Sequence, residues 1–419
     1  MPWCAAIGHK MANKERHRFV APTHMCEAVP VALDSLRQRF PGVQGEWARL
    51  DGPAGTQMVD TAIEATRAWS VSGKNANGGG YFPAALASDD VVQTARRTMQ
   101  RLLNAPSDTF VFGPNTTTLV FSFTRALARE FNDHDQIVGT KLDHDSNVTP
   151  WAMAAHDTGA QHVLADFDPE TGRLDIAAVE KLLTRNTKWV TVTGSSNLIG
   201  TMPDLHAITK LAHDAGARVY VDAVALVPHR SVDIAAIGCD AIATSPYKWY
   251  GPHAGVLWIE PELLASLRPY KVRPAANEGP KKMETGTPNY EAIAGVVAAA
   301  EFMMQEGVDN MAAYETAVFE PLLSGLLSTN GVTVYGPHDL IDRAPTVSFN
   351  IAGHHPDSVA QQLADRKIAV WSGDSYAVEV AQQLGIASTG AAVRAGVVRY
   401  VTSDDVDRLL NAVADIASS

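Results

Sequence analysis

The sequence predicts a doubly wound α/β fold followed by a smaller α+β region, and three observations carry that expectation. From about residue 107 to 260, short β-rich runs alternate with helical patterns: TFVFG at 109–113, TLVFSFTRALARE, QIVGT at 136–140, a helix near 150–157, QHVLADF, a helix near 174–184, KWVTVTG, a helix near 204–215 and ARVYVD. The strands are apolar almost without interruption, as a mostly parallel sheet covered on both faces requires. After about residue 310 the rhythm changes to GVTVYG, PTVSFNIAG, a helix at 356–366, IAVWSG, AAVRAGVV and a final helix from Ser403.

At 419 residues and 46% hydrophobic, the chain can bury one large core and carry a second domain. The expected division is 1–45 as an N-terminal extension and a helix packing on the small domain, 46–305 as the large domain and 306–419 as the small C-terminal domain. Residues 28–48 hold one amphipathic stretch, VPVALDSLRQRF, ending at Pro41-Gly42, which stops a helix. The first 20 residues read as a loose extension.

The balance of 34 Lys+Arg against 46 Asp+Glu, a net charge of −12, repels nucleic acid and anionic membrane, so neither is an expected partner. Three scattered cysteines, Cys4, Cys26 and Cys239, suit neither a disulfide framework nor a zinc site, and no metal is expected. No apolar run approaches the ~20 residues of a membrane span, and the N-terminus lacks the apolar core of a signal peptide. The expected compartment is the cytoplasm.

Chemistry concentrates at strand ends. ARVYVD ends at Asp222, and the apolar run CDAIATS leads into Ser245-Pro246-Tyr247-Lys248, so both charges fall where ligands of open α/β sheets bind. A pyridine cofactor needs such a pair: an amine to link to it, and a carboxylate to keep its ring nitrogen protonated. Gly113-Pro114-Asn115-Thr116-Thr117-Thr118 follows a strand and opens a helix, offering N–H groups, hydroxyls and the positive end of the helix dipole to a phosphate. His144, in LDHDSNVTPW, follows QIVGT, where a flat imidazole can lie over a planar ring with Asp143 and Asp145 to orient it.

Taken in order, Asn-Thr-Thr, LDHDSNVTPW, SSNLIGT, YVDAV, SPYKWYGPHAGVLW and METGTPN resemble the class V aminotransferase superfamily of pyridoxal 5′-phosphate (PLP) fold type I over roughly residues 45–419. Within it the chain is most similar to the cysteine desulfurase-like branch. The resemblance implies a large domain with a mostly parallel seven-stranded sheet and a smaller α+β domain. It implies that Lys248 forms the Schiff base with PLP, Asp222 pairs with the pyridinium nitrogen, and His144 stacks on the ring. Asn115, Thr116, Thr117, Ser245 and Tyr247 would hold the phosphate, and Thr287 would reach the phosphate of a partner subunit in a homodimer. Asn197 and Arg394 would bind the substrate α-carboxylate, with Arg399 as the fallback. Tyr81 and Tyr376 are expected at the substrate-binding mouth, with Phe82, Trp371 and the glycine-rich run 75–80.

Two departures bear on the reaction. A desulfurase needs a mobile cysteine in the small-domain loop, and WSGDSYAVEV at 371–380 offers none; Ala225 stands where the family usually places Gln or His beside the cofactor's phenolic oxygen. The expected activity is β-elimination from a cysteine S-conjugate, a C–S lyase reaction on an amino-acid substrate. Decarboxylation or oxidative deamination of such a conjugate, transamination, epimerisation and a non-enzymatic PLP-binding regulatory role stay open.

Overall fold

The computed structural model describes residues 36–419. Of the amphipathic stretch 28–48, residues 28–35 lie outside the described residues, as do the first 20 residues, Cys4 and Cys26. Helical backbone at Leu36 and Arg37 gives way to a 3₁₀ turn opened by Pro41, and Arg37 Nη1 donates to Asp405 Oδ2 at 2.7 Å. The strand β1 (Ala48–Arg49) follows.

The large sheet contains β2 (Phe110–Gly113), β3 (Gln136–Thr140), β4 (Gln161–Ala165), β5 (Thr187–Thr193), β6 (Arg218–Asp222), β7 (Ala241–Thr244) and β8 (Gly255–Ile259) in the order β2-β8-β7-β6-β5-β3-β4. Only β8 runs against its neighbours, so the expected mostly parallel seven-stranded sheet is present. Val190, Val192, Val219, Val221 and Leu257 are fully buried, because helices cover both faces. Burial of each such side chain is worth about 1.5–3 kcal/mol, which outweighs the modest strand propensity of any one residue.

The remaining strands are β9 (Val332–Tyr335), β10 (Thr346–Ile351), β11 (Ile368–Ala369), β12 (Trp371–Gly373) and β13 (Ala392–Gly396). Four of them form an antiparallel sheet in the order β12-β13-β10-β9, packed by the helices Pro356–Asp365 and Ser403–Ala417. The run IAVWSG is not one strand: β11 pairs in parallel with β1 in a separate two-stranded sheet, and β12 pairs with β13. The chain crosses from one sheet to the other at Val370, a step that apolar patterning does not signal. The helix expected at 174–184 is shorter, Ile176–Glu180.

Candidate active site

The sheet topology gathers the site. Because β8 is inverted and β2 is antiparallel to it, the carboxyl ends of β2, β3, β5, β6 and β7 share one edge. Strand order reverses between β3 and β5, the switch point at which open α/β sheets bind ligands. His144 follows β3, Asn197 follows β5, Asp222 ends β6, and Ser245, Tyr247 and Lys248 follow β7. These six line one inner pocket together with Asn115, Thr116, Thr117 and Ala225.

Lys248 closes the 3₁₀ turn Pro246–Lys248, where proline presets the backbone and Lys248 N donates to Ser245 O at 2.9 Å. Its Nζ donates to the carbonyl of Pro53, on a loop pinned to the same turn by Thr56 N donating to Tyr247 O at 2.8 Å. Burial pushes the amine down to about 7, the charge of Arg394 pushes the same way, and Asp222 opposes both. Burial likewise pushes the Asp222 carboxyl up to about 6, against the bond it accepts from Val224 N at 2.9 Å and the attraction of Lys248. Desolvation outweighs the pair's mutual attraction at both ends, so a large share of Lys248 is a neutral, nucleophilic amine near pH 7.

Asn115 caps the helix Thr116–Ala128, its side chain accepting from Thr118 N at 2.8 Å. The first-turn N–H groups of Thr116 and Thr117 have no intrahelical acceptor and face outward from the helix start. Thr116 Oγ1 lies 2.7 Å from Ser245 Oγ and donates to Thr244 O at 3.0 Å, which ties this seat to the Lys248 turn. Gly255, at the start of the inverted β8, lies directly beneath: a Cβ there would sit 2.4 Å from the Asn115 carbonyl carbon.

The acids flanking His144 do not orient it. Its Nδ1 accepts from Ser146 N at 3.0 Å and lies 2.8 Å from Ser146 Oγ. Asp143 instead accepts from Thr140 Oγ1 and, at 2.7 Å, from Asn147 Nδ2, while Asp145 accepts from Thr149 Oγ1 at 2.9 Å. Both acids are spent on turning the chain after β3, the usual competition of short polar side chains for local groups. Burial first, then the charges of Lys248 and Arg394, push the imidazole down to about 4, so His144 is a neutral ring at neutral pH.

An outer cleft of about 930 Å³ opens above the inner pocket, bordered by Lys248, Asn197, Arg394, Phe121 and the segment 371–376. Arg394, on β13, is buried; its Nη1 donates to Asn197 O at 2.9 Å while its Nε has no partner. Asn197 Nδ2 donates to Ser375 O at 2.8 Å, and its Oδ1 also has no partner. A buried guanidinium with an unused donor at a cleft suits an anionic ligand. Arg399 lies elsewhere, 4.1 Å over the Tyr314 ring, and borders neither cavity.

Four expected contributors are not brought to the site within one chain: Tyr81, Phe82, the run 75–80 and Thr287; Phe82 is 55% exposed and borders neither cavity. Tyr81 is 99% exposed just before the helix Pro83–Leu102, whose other face packs on the helix Tyr290–Glu306. The run 75–80 is held nearby, Gly78 N donating to Tyr290 Oη at 3.0 Å and Gly79 N to Asp89 Oδ2 at 2.7 Å. Thr287 borders a different cleft with Gly113, Pro114 and His253. Sequence reasoning missed Phe121 and Pro53. Phe121 lies four residues after Thr117 on one helix, a spacing that places both on one face and could have found it; Pro53 reaches Lys248 only through tertiary packing.

The donor set fits PLP: a near-neutral buried amine, a carboxylate at the neighbouring strand end, an anion seat at a helix start, a flat neutral imidazole, and spare donors on Arg394. Among the described residues no cluster suits a metal ion, and no helix is long and apolar enough to cross a membrane.

Comparison with known proteins agrees with this set. The family model described as aminotransferase class-V matches residues 48–409. The chain is 30% identical over 404 residues to an uncharacterized protein of Mycobacterium tuberculosis, covering 92% of this chain and 100% of the other. It is 30% identical over 341 residues to a probable cysteine desulfurase of Xylella fastidiosa, covering 78% and 80%. The crystal structure of the cysteine desulfurase CsdA from Escherichia coli superposes with a TM-score of 0.84 at 27% identity, covering 92% of this chain and 98% of that one.

Proposed function

The chain belongs to the class-V aminotransferase family and is a PLP-dependent enzyme, and from that premise we propose that it catalyses β-elimination from a cysteine S-conjugate, releasing a thiol, pyruvate and ammonia. Bound in the inner pocket, PLP supplies an electron sink that weakens the bonds to the substrate Cα. The proposal gives the phosphate to Asn115, Thr116, Thr117, Ser245 and Tyr247, and the face of the cofactor ring to His144. Asp222 holds the proton on the ring nitrogen. Lys248 Nζ would hold the cofactor and would take the Cα proton. Arg394 and Asn197 hold the α-carboxylate, which fixes the Cβ–S bond in the outer cleft. That bond breaks with its electron pair passing to sulfur; a proton completes the thiol, and one water turns the three-carbon remainder into pyruvate and ammonia.

The observation that carries elimination rather than desulfuration is the cleft wall 371–376, which presents Trp371, Ser375 and Tyr376 and no cysteine. Among the described residues the one cysteine, Cys239, is buried and its thiol is pushed far up by burial, so it suits neither nucleophile nor sulfur acceptor. Ala225 borders the inner pocket beside Val224 and adds room at the ring edge. The proposal includes a homodimer in which Thr287 completes the phosphate site of the other subunit; its position beside Gly113 and Pro114, outside the Lys248 pocket, supports this.

Incubation with several cysteine S-conjugates, with thiol, pyruvate and carbon dioxide assayed together, tests the reaction. Thiol and pyruvate in equal amounts are expected. Carbon dioxide without thiol would replace elimination by a decarboxylating reaction, and an amino-group transfer to an added keto acid would replace it by transamination.

A further inference from the structure

Three aromatic rings from three separate elements stand around the outer cleft, and none has a part in the chemistry above. Trp371 is the register partner of Arg394 across β12 and β13. Residues directly opposite in an antiparallel pair project from the same face of the sheet. Trp371 therefore stands beside Arg394, over the same cleft, with 53% of its surface exposed. Phe121 faces the cleft from the helix Thr116–Ala128.

Tyr376 supplies the third ring, on a segment held in place from both sides. Its carbonyl accepts from Asp145 N at 2.7 Å, its N–H donates to Asp374 Oδ1 at 2.9 Å, and the preceding Ser375 carbonyl accepts from Asn197 Nδ2 at 2.8 Å. Ser375 and Tyr376 are both left-handed, with φ of 54° and 58°, a conformation that side chains other than glycine rarely adopt and that these bonds enforce. The wall is thus built in one position, with its carbonyls turned to Asn197 and Asp145 and its aromatic side chain left in the cleft.

The cleft is far larger than a cysteine side chain needs, and its polar border disfavours a second negative charge, since Asp145 and Asp374 both line it. An exposed aromatic surface at the mouth of a polar site marks a ligand contact. We propose that the substrate's distal group is flat and apolar, an aryl or arylalkyl group carried on the sulfur and received by Trp371, Phe121 and Tyr376. The position on sulfur rests on the C–S lyase reading; the aromatic subsite does not.

The test is equilibrium binding by calorimetry to the PLP-loaded enzyme, with two amino acids that have no sulfur to release: L-homophenylalanine and L-2-aminobutyrate. Stacking and burial of one phenyl ring predict at least about tenfold tighter binding of homophenylalanine. Trp371→Ala is expected to shrink that ratio below about threefold, and Trp371→Phe to keep most of it. A parallel assay follows thiol release from S-phenyl- and S-methylcysteine. Equal affinities, or no binding of homophenylalanine, overturn the aromatic subsite even if S-methylcysteine is cleaved. A tenfold ratio that Trp371→Ala leaves untouched overturns the assignment to this wall. A tenfold ratio that collapses in Trp371→Ala, with no thiol from either conjugate, upholds the subsite and removes the C–S lyase reading instead.

Discussion

The ring of Tyr376 stacks on that of His144, with centroids 5.6 Å apart and planes 26° from parallel. His144 borders both the inner pocket and the outer cleft, whereas Tyr376 borders only the cleft. Tyr376 therefore backs the imidazole from the solvent side, while Ser146 holds its Nδ1. A neutral imidazole fixed in this way can lie flat on a cofactor ring without bringing a second cation beside Lys248.

Replacing Tyr376 tests the clamp. An aromatic pair is worth about 0.5–1.5 kcal/mol, so Tyr376→Ala is expected to lower kcat/KM by roughly three- to tenfold and to shift the absorbance of the bound cofactor. Tyr376→Phe keeps the ring and should stay within about twofold of the wild type. Equal losses in both variants would assign the effect to the hydroxyl.

A second support lies beneath the Lys248 turn. Glu315, fully buried, lies 2.7 Å from His229 Nδ1 and accepts from Tyr250 Oη at 3.2 Å, and that Oη in turn accepts from Arg399 N at 3.1 Å. Tyr250 takes a left-handed φ of 70° two residues after Lys248. Glu315→Ala leaves buried partners unpaired and is expected to cost about 3–5 kcal/mol; Glu315→Gln keeps hydrogen-bonding atoms and should cost less than half as much. Urea unfolding of the cofactor-free protein measures both, and a loss under about 1 kcal/mol in Glu315→Ala would show that the network does not support the fold.

The buried amine also makes stability depend on pH in the cofactor-free protein. Lys248 titrates near 7 when folded and near 10.5 when unfolded, so between those values the unfolded chain binds a proton that the folded chain does not. Stability therefore rises with pH across that window, by up to about 1.4 kcal/mol per unit. Asp222 acts oppositely at lower pH: raised from 3.8 to about 6, it contributes stability below 3.8 that is lost as pH climbs to 6. Unfolding midpoints at a series of pH values should show the upper rise in the wild type and a flatter profile in Lys248→Ala. Identical slopes from pH 7 to 10 would mean that Lys248 is not desolvated.

Much of the site is legible in the sequence for a physical reason. Apolar strands stop where the backbone leaves the sheet, so Asp222, His144 and Lys248 are marked by the abrupt polarity after β6, β3 and β7, and Asn115–Thr117 by a capped helix start. The partner of His144 is less legible, because two acids and a serine within two residues compete for it and only the turn geometry selects Ser146. The division of IAVWSG between two sheets, the contact of Pro53 with Lys248 and the facing of Trp371 and Arg394 all depend on long-range pairing. Thr287 and Tyr81 do not meet their expected neighbours within one chain.

Borohydride reduction of the PLP-loaded enzyme followed by peptide mass spectrometry tests whether Lys248 carries the cofactor. A single phosphopyridoxyl group on the peptide containing Lys248, absent in Lys248→Ala, is the predicted result. Modification of a different lysine, or a colourless protein that takes up no PLP, would contradict it.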